Sequence, residues 1–316
     1  MMNSQKIIQS LLYKVDSQPL QGGKQLLRFI LWQQDKVLQA EALRWLEGEL
    51  KKVAMYSWSQ QRKQLAIDQL LALLPYLLSD KDMISIPSWE DGQYTLKQYH
   101  CEAIPMLPKW WLKTDQYYAF GMTCQSASPI LLFKGTTYPT DQGFWTTLMA
   151  DLYPFGSIGS IIMTLGHHAI QNWANDKQHI KAVGQSLGGA LAIYSGKING
   201  VEAITATNPA LPSFQLSNDV DTTVIVNSGD IISRIGLMSK HWGVWSVSNS
   251  KVTSKFFAHI QPWICQESIL DPIKKAPSPL PMWSVLYWAV RPVAFFLLLP
   301  IYLMHVIYQV IKSSAR

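Results

Sequence analysis

The segment from 181 to 193 constrains the fold of this chain most strongly, because it holds a serine between two glycines. Its central residues are Gly184-Gln185-Ser186-Leu187-Gly188. The pattern Gly-x-Ser-x-Gly is typical of a sharp turn from a strand into a helix, where the serine backbone is strained and only small residues fit two positions away. Ser186 is therefore a candidate nucleophile, and an ordinary glycine-serine turn without chemistry is the alternative.

The residues on either side of this serine favour the nucleophile. Apolar residues at 180, 182 and 183 predict the end of a short buried strand. The small or apolar residues from 189 to 193 predict a helix that packs closely beneath that strand. A strand, a tight turn and a helix are the setting that the pattern requires.

The composition points to a folded protein that contacts lipid. With 316 residues, of which 48% are hydrophobic, the chain can build a large core. Only 15% of the residues are charged, against roughly 25% in an average soluble protein, and there are 13 tryptophans. The net charge of +6 comes from scattered lysines and arginines without a nucleic-acid-binding motif, so an anionic membrane surface is a better partner than a nucleic acid.

The cellular compartment is predicted from two features that the sequence does not show, a signal peptide and a disulfide framework. The first apolar stretch is short and is interrupted by Lys14 and Asp16, which does not fit a signal peptide. The 3 cysteines are too few and too irregularly spaced for a disulfide framework or a zinc site. We therefore expect buried thiols, a reducing environment and a membrane-associated protein that faces the cytoplasm.

The hydrophobic pattern divides the chain into a helical N-terminal region (1–85), a domain of alternating strands and helices (86–275) and a tail (276–316). Helical periodicity at 24–58 and 61–78, with Pro75 ending or kinking the second stretch, predicts helices that pack on the main domain; a lid or a partner-binding region is the alternative. After a turn expected at 87–92, short strands are predicted. They lie at 93–102, 117–123, 129–133, 161–165, 203–206, 223–226 and 243–247. Strands that alternate with helices predict an α/β fold with a mainly parallel sheet.

Several ordered blocks of the middle domain resemble the class 3 lipases, the family of the fungal triacylglycerol lipases. The similar blocks are the serine segment 184–192, the strand end 131–136, Trp145 with Asp151-Leu152, and the segment 224–235. The resemblance covers roughly residues 90 to 265. It implies an α/β-hydrolase fold, with a mainly parallel sheet flanked by helices, and the hydrolysis of lipid esters.

A nucleophilic serine needs a histidine to remove its proton and an acid to orient that histidine. The resemblance to α/β-hydrolases implies that they follow along the chain in the order serine, acid, histidine. Asp230 follows the predicted strand 223–226, where the side chains of an active site collect, and its alternative role is to cap a helix at 231–238. Of the later histidines, His259 follows the apparent strand 243–247 and is favoured, while His241 stays a competitor.

Two residues are candidates for the oxyanion hole. Leu187 follows the nucleophile and offers its backbone N–H. Thr136 follows the predicted strand 129–133 and offers its backbone N–H and its hydroxyl as donors, although a threonine is also common in ordinary turns. The stretch 138–159 suits an apolar flap or a simple ordered loop. We expect neither a cofactor nor a metal, because His167 and His168 lack carboxylate or cysteine ligands at a suitable spacing.

The tail combines a proline-rich linker with the apolar residues 282–311. The stretch 293–311 has no formal charge and is long enough to cross a bilayer as a helix, and Pro292 and Pro300 favour a kinked or re-entrant segment instead. A buried helix of the main domain is the further alternative. We expect the tail to attach the protein to a membrane surface.

These features together predict a serine ester hydrolase that acts on acylglycerols or phospholipids at a membrane through an acyl-enzyme. The same triad would also serve an acyltransferase or a thioesterase. A non-catalytic membrane-binding protein on a lipase fold is the alternative from a different class. The sequence does not predict an oligomeric state.

Overall fold

The computed structural model describes residues 36–90, 92–109, 111–137, 142–209, 220–227, 230, 232–234, 243–247, 259, 272–273 and 281–314. Helices in these residues are α1 (Lys36–Met55), α2 (Gln60–Leu71), α3 (Phe144–Leu152), α4 (Ser160–Ala174), α5 (Leu187–Tyr194) and α6 (Pro281–Ser314). The strands are β1 (Met83–Glu90), β2 (Gln93–Pro105), β3 (Tyr118–Cys124), β4 (Ala127–Phe133), β5 (Ile180–Gln185), β6 (Val201–Thr207), β7 (Asp221–Asn227), β8 (Gly243–Val247) and β9 (Pro272–Ile273).

The described strands form one mixed sheet in which spatial order follows chain order from β1 to β9. The strands from β1 to β4 pair antiparallel. Those from β4 to β8 pair parallel, and β9 returns antiparallel to β8. The sheet curls into a half-barrel.

The predicted mainly parallel α/β-hydrolase sheet is therefore wrong. The physical reason lies in the short connections at the start of the sheet. Glu90 pairs with Gln93 and Cys124 pairs with Ala127, so each of these connections holds two residues. Such tight turns can only reverse the chain, because a parallel pair needs a crossover of a dozen or more residues.

Two further segments differ from the sequence prediction. Pro87, expected in a turn, lies inside β1, where it is tolerated because β1 is an edge strand of the described sheet. Residues 161–165, expected as a strand, belong to the first turns of α4. A short apolar run fits a buried strand and a buried helix equally well, and here the helix formed.

The order of the parallel strands explains why helices α1 and α2 are needed. Right-handed crossovers between neighbouring parallel strands in chain order place all their helices on the same face. That face is covered by α4 and α5, which pack against Leu131 and Phe133 of β4. The alternate residues Ile130 and Leu132 point to the opposite face and pack against α1 and α2.

Asp68 of α2 joins the N-terminal helices to the parallel strands. Its carboxylate is buried and accepts hydrogen bonds from Lys181 Nζ of β5 at 2.6 and 2.7 Å and from Thr205 Oγ1 of β6 at 2.9 Å. Gln64 of α2 donates to the same carboxylate at 2.8 Å. A buried charge with this many donors fixes the position of the helix on the sheet.

The last helix, α6, continues through Pro292 and Pro300. Its segment Val285–Lys312, with a mean hydropathy of 2.0, is the one helix in the described ranges that is long and apolar enough to cross a membrane by length and composition. Among the cysteines, Cys101 is buried and free, Cys124 is free and partly exposed, and Cys265 lies outside the described residues.

We expect Asp68→Asn to lower the free energy of unfolding by roughly 2–4 kcal/mol, because it leaves Lys181 without its buried counter-ion. Urea unfolding in mild detergent, followed by circular dichroism, measures this change. The matched control is Asp176→Asn, since Asp176 pairs with Lys177 at the surface, and it should leave the unfolding midpoint nearly unchanged. Equal midpoints for the two variants would contradict the role given to Asp68.

Candidate active site

The candidate site lies at the carboxyl ends of the parallel strands. Ser186 directly follows β5, Asn208 directly follows β6, and Asp230 comes shortly after β7. The carboxyl ends of neighbouring parallel strands share one edge of a sheet, which is where open α/β sheets bind their ligands. The chain thus gathers polar side chains that lie far apart in the sequence.

Ser186 occupies a strained turn between β5 and α5. Its backbone has φ 55° and ψ −124°, a conformation that a residue with a side chain rarely adopts. The turn is tight enough that a Cβ on Gly184 would lie 2.1 Å from the carbonyl oxygen of Gly188. A Cβ on Gly188 would lie 2.2 Å from the carbonyl oxygen of Phe133. Both glycines of the sequence pattern are therefore required by close backbone contacts.

His259 and Asp230 form a hydrogen-bonded chain with this serine. His259 Nε2 lies 2.8 Å from Ser186 Oγ, and His259 Nδ1 lies 2.9 Å from Asp230 Oδ2. A carboxylate can only accept from Nδ1–H, which leaves Nε2 as the acceptor for the serine hydroxyl. The three residues favoured from the sequence are thus in contact, in the arrangement of a nucleophile, a base and an orienting acid.

Asp230 is fully buried and is held by several donors besides His259. The backbone N–H of Ile232 donates to Oδ1 at 2.9 Å, while the backbone N–H of Ser233 at 3.4 Å and the Ser233 hydroxyl donate to Oδ2. Asp230 thus also caps the short turn Ile232–Arg234, while residues 231 and 235–238 of the helix expected there lie outside the described residues. These donors stabilise its charge and leave Oδ2 aimed at the histidine.

Two side-chain amides that were not predicted from the sequence bind the backbone of His259. Gln185 Nε2 and Asn208 Nδ2 donate to the carbonyl oxygen of His259 at 3.0 and 2.9 Å, and all three residues are buried. Asn208 has a left-handed backbone, with φ 42°, directly after β6. A polar residue at each strand end was the available signal, because these positions meet at one edge of the sheet.

The two candidate oxyanion residues flank the serine. Leu187 is the first residue of α5, so its N–H has no carbonyl of a preceding helical turn to bind. The Thr136 hydroxyl donates to Asp151 Oδ2 at 2.7 Å, which leaves its backbone N–H as the donor available to a ligand. Just before Thr136 the backbone passes close to Tyr76 and to the end of β5. Only glycine fits at position 135, because a Cβ there would lie 2.2 Å from the Tyr76 hydroxyl and 2.8 Å from the Gln185 carbonyl oxygen.

Asp151, at the end of α3, is an acid next to the candidate site. Burial raises the pKa of Asp151 to about 7, although the hydrogen bond from Thr136 and the charges of Arg291 and His259 each act to lower it. Its Oδ1 atom is buried and has no hydrogen-bond partner among the described residues. The sequence pointed to this residue only through the family resemblance.

Helix α6 contacts the segment that leads from Asp151 to α4. The Tyr287 hydroxyl donates to the Asp151 carbonyl oxygen at 3.0 Å. Arg291 is 1% exposed and donates from Nη2 to the carbonyl oxygens of Tyr153 and of Gly156, the latter at 2.9 Å. The tail thus forms part of the wall beside the site, which its sequence alone did not predict.

Other residues singled out in the sequence lie away from this hydrogen-bonded chain or beyond the described ranges. His241 and residues 138–141 of the expected flap lie outside the described residues. The adjacent His167 and His168 lie on α4. Within the described ranges, no cluster of three histidine, cysteine or acidic side chains is placed to hold a metal ion.

Comparison with known proteins adds no relative. No family model, curated protein or solved structure matches the chain. The similarity to class 3 lipases therefore stays a prediction from short sequence blocks, and the function is inferred from the geometry of the site.

We expect Gly184→Ala to destabilise the fold and to displace Ser186, because the added methyl group meets the Gly188 backbone. Gly48→Ala is the matched control, since a Cβ there would meet nothing within 4 Å. Gly48 lies inside α1, so its replacement should raise the free energy of unfolding by up to about 1 kcal/mol. Thermal unfolding of both variants checks the two signs, and a stable Gly184→Ala protein would argue against the tight turn.

We expect Asp151→Asn to change how stability depends on pH. An unfolded aspartate ionises near pH 4, whereas folded Asp151 stays protonated up to about pH 7. Folding therefore takes up a proton between these values, and the free energy of unfolding of the natural protein falls as the pH rises through this window. Asparagine has no such proton, so the variant should gain stability relative to the natural protein from pH 4 to 7. Parallel pH profiles in denaturant titrations would contradict this assignment.

Proposed function

We propose that this protein is a serine ester hydrolase that cleaves lipid esters, either acylglycerols or phospholipids, through a covalent acyl-enzyme at a membrane. The observation that carries the proposal is the continuous hydrogen-bond chain from Ser186 Oγ through His259 to Asp230. The strained backbone of Ser186 supports it, because such strain persists where the surrounding structure compensates for it and is concentrated at functional sites.

The first half of the reaction acylates the serine. Ser186 Oγ attacks the acyl carbonyl while His259 Nε2 takes the hydroxyl proton, and the negative charge moves to the carbonyl oxygen. The backbone N–H groups of Leu187 and Thr136 donate to that oxygen, a contribution of about 3 kcal/mol for each good donor. His259 then gives its proton to the leaving alcohol oxygen as the carbon-oxygen bond breaks.

The second half releases the acid. A water molecule attacks the acyl-enzyme carbonyl while His259 Nε2 accepts its proton, and the same two N–H groups bind the oxyanion. His259 returns the proton to Ser186 Oγ when the intermediate collapses. Asp230 accepts the hydrogen bond from His259 Nδ1 and stabilises the cationic histidine, which Gln185 and Asn208 hold through its carbonyl oxygen.

The lipid character of the substrate is inferred from the surroundings of the site. Helix α6, which contacts Asp151, exposes many large apolar side chains along its length. We therefore propose that residues 282–311 attach the protein to a membrane, where insoluble esters are concentrated. A site beside the membrane surface gains access to substrates that a soluble enzyme would meet only rarely.

We expect Ser186→Ala to lower the hydrolysis of a short-chain nitrophenyl ester by more than about 10³-fold and to abolish labelling by a fluorophosphonate probe. The matched control is Ser126→Ala, in the exposed turn before β4, which should keep the rate and the labelling of the natural protein. Both measurements use detergent-solubilised full-length protein. Full labelling of Ser186→Ala would overturn the proposal.

The histidine and the acid are tested in the same assays. His259→Ala and Asp230→Asn should each lower kcat by about 10²–10⁴-fold, because the serine then loses its base or the base loses its orientation. His241→Ala is the matched control and should keep full activity. An active His259→Ala protein together with an inactive His241→Ala protein would show that the base had been assigned wrongly.

A further inference from the structure

Helix α6 contacts the rest of the protein on one side, from Tyr287 to His305. Its inward positions 287, 291, 295, 302 and 305 recur at helical spacing. Polar groups at both ends of this row bind the domain: Arg291 binds the 153–156 segment, and His305 Nε2 lies 3.2 Å from Asp115 Oδ2. Between them, the ring of Tyr302 lies 6.2 Å from that of Trp145 in α3.

The length of this contact with the domain decides whether the helix can cross a bilayer. From Tyr287 to His305 an α-helix rises about 27 Å, close to the roughly 30 Å of a bilayer hydrocarbon core. If α6 crossed the membrane while in contact with the domain, the exposed Lys113 and Thr114 beside Asp115 would enter the hydrocarbon with it. Charged and polar groups exposed to lipid at that depth are strongly unfavourable.

The outward side of α6 is apolar over the same length. We call this side the outer face and define it by Val293, Leu297, Ile301, Met304 and Tyr308. These side chains are 45% to 69% exposed. An uninterrupted apolar row of this kind on the surface of a protein marks a contact with a membrane or with another protein.

The outer face continues onto the segment beside the candidate site. Phe155 lies between Tyr153 and Gly156, the residues that Arg291 binds, and it is 74% exposed. Its ring lies 6.4 Å from that of Phe296 on α6. The same segment follows Asp151, whose carboxylate accepts from Thr136, so the chain joins the exposed Phe155 to a direct neighbour of a candidate oxyanion residue.

We propose that α6 stays seated on the domain and that its outer face, together with Phe155, lies flat on a bilayer as an in-plane docking surface. This inference rests on the proposed attachment of residues 282–311 to a membrane and deepens it. The acyl region of the contacted leaflet covers the outer face, and the backbone contacts of Arg291 stay within the protein. Both the domain and the C-terminal end of α6 lie on the same side of the membrane.

Lipid fits this surface better than a second copy of the chain. A bilayer on the outer face places acyl chains next to Phe155 and the site, whereas a second protein there would cover that approach with side chains. Trp288 and Tyr308, near opposite ends of the row, are residues that favour the boundary between headgroups and hydrocarbon. The net charge of +6 adds attraction to anionic headgroups.

The first test measures binding to vesicles of phosphatidylcholine and phosphatidylglycerol by flotation. Met304→Glu should lower the partition coefficient more than tenfold, because a carboxylate then enters the lipid-facing row. Met55→Glu is the matched control, since Met55 is an 84% exposed methionine at the end of α1, and it should bind like the natural protein. Equal binding of the two variants would refute the docking surface.

Two further measurements distinguish a lost membrane contact from a damaged active site and from a broken oligomer. Fluorophosphonate labelling in detergent should be normal for both variants, so a failure of the docking surface is distinguished from a failure of the proposed hydrolase. Analytical ultracentrifugation in detergent should give the same oligomeric state for both variants. If Met304→Glu instead dissociates an oligomer and keeps its affinity for vesicles, the outer face joins copies of the chain and the inference is wrong.

The second test distinguishes an in-plane helix from a spanning one. Single cysteines are introduced as Ser314→Cys or Asp176→Cys in a background with Cys101→Ser, Cys124→Ser and Cys265→Ser, and the protein is bound to sealed vesicles from outside. A membrane-impermeant maleimide should label both positions without detergent. Labelling at 314 only after detergent is added, with 176 labelled before, would show that α6 spans the bilayer and would overturn the inference.

Discussion

The structure depends on the close approach of three backbone segments around Ser186. The Gly184 Cα hydrogens face the Gly188 carbonyl, and Gly188 in turn lies against the end of β4 at Phe133. Since no side chain fits in these gaps, β5 can pass into α5 within one residue and can present the serine at the sheet edge. The strained backbone of Ser186 is held by hydrogen bonds on both sides, from its N–H to Thr207 and from Ala190 to its carbonyl oxygen.

The sequential strand order has an energetic consequence for the rest of the chain. Because the helices of the parallel strands lie on one face, the other face would expose Ile130, Leu132 and Val183 to water without α1 and α2. Burying an apolar side chain of this size contributes about 1.5–3 kcal/mol. The N-terminal helices are therefore part of the core that supports the site, and the buried charge of Asp68 fixes their position on the strands.

Sequence patterns predicted the parts of this structure that local chemistry determines. The turn at Ser186 and the strand Gly243–Val247 were predicted because glycine spacing and short apolar runs carry local information. Strand direction was not, because alternation along β2 and β3 is the same whether the neighbouring strand runs parallel or antiparallel. The two-residue connections were the missed signal, and Pro87 hid β1 by suggesting a turn.

In the candidate site, too, some residues were predicted from the sequence and others were not. The family resemblance, the order along the chain and the positions after predicted strands led to the proposal of Ser186, Asp230 and His259, which lie together in the structure. The amides of Gln185 and Asn208 were missed, because their positions at strand ends indicate only that they share an edge of the sheet and not that both bind the carbonyl oxygen of a distant histidine. Likewise, Arg291 was seen as an isolated charge in an apolar tail until its partners in the 153–156 segment were known.

Arg291 and Tyr153, which are in contact, lie 138 residues apart in the chain. This separation determines when the contact can form during synthesis of the protein. A ribosome that adds about 5–20 residues per second makes the 153–156 segment roughly 7–28 s before the arginine that binds its carbonyl oxygens. During that interval the loop beside the serine lacks its partner helix. The contacts of Arg291 with this segment therefore form late, after Ser186, Asp230 and His259 have all been made.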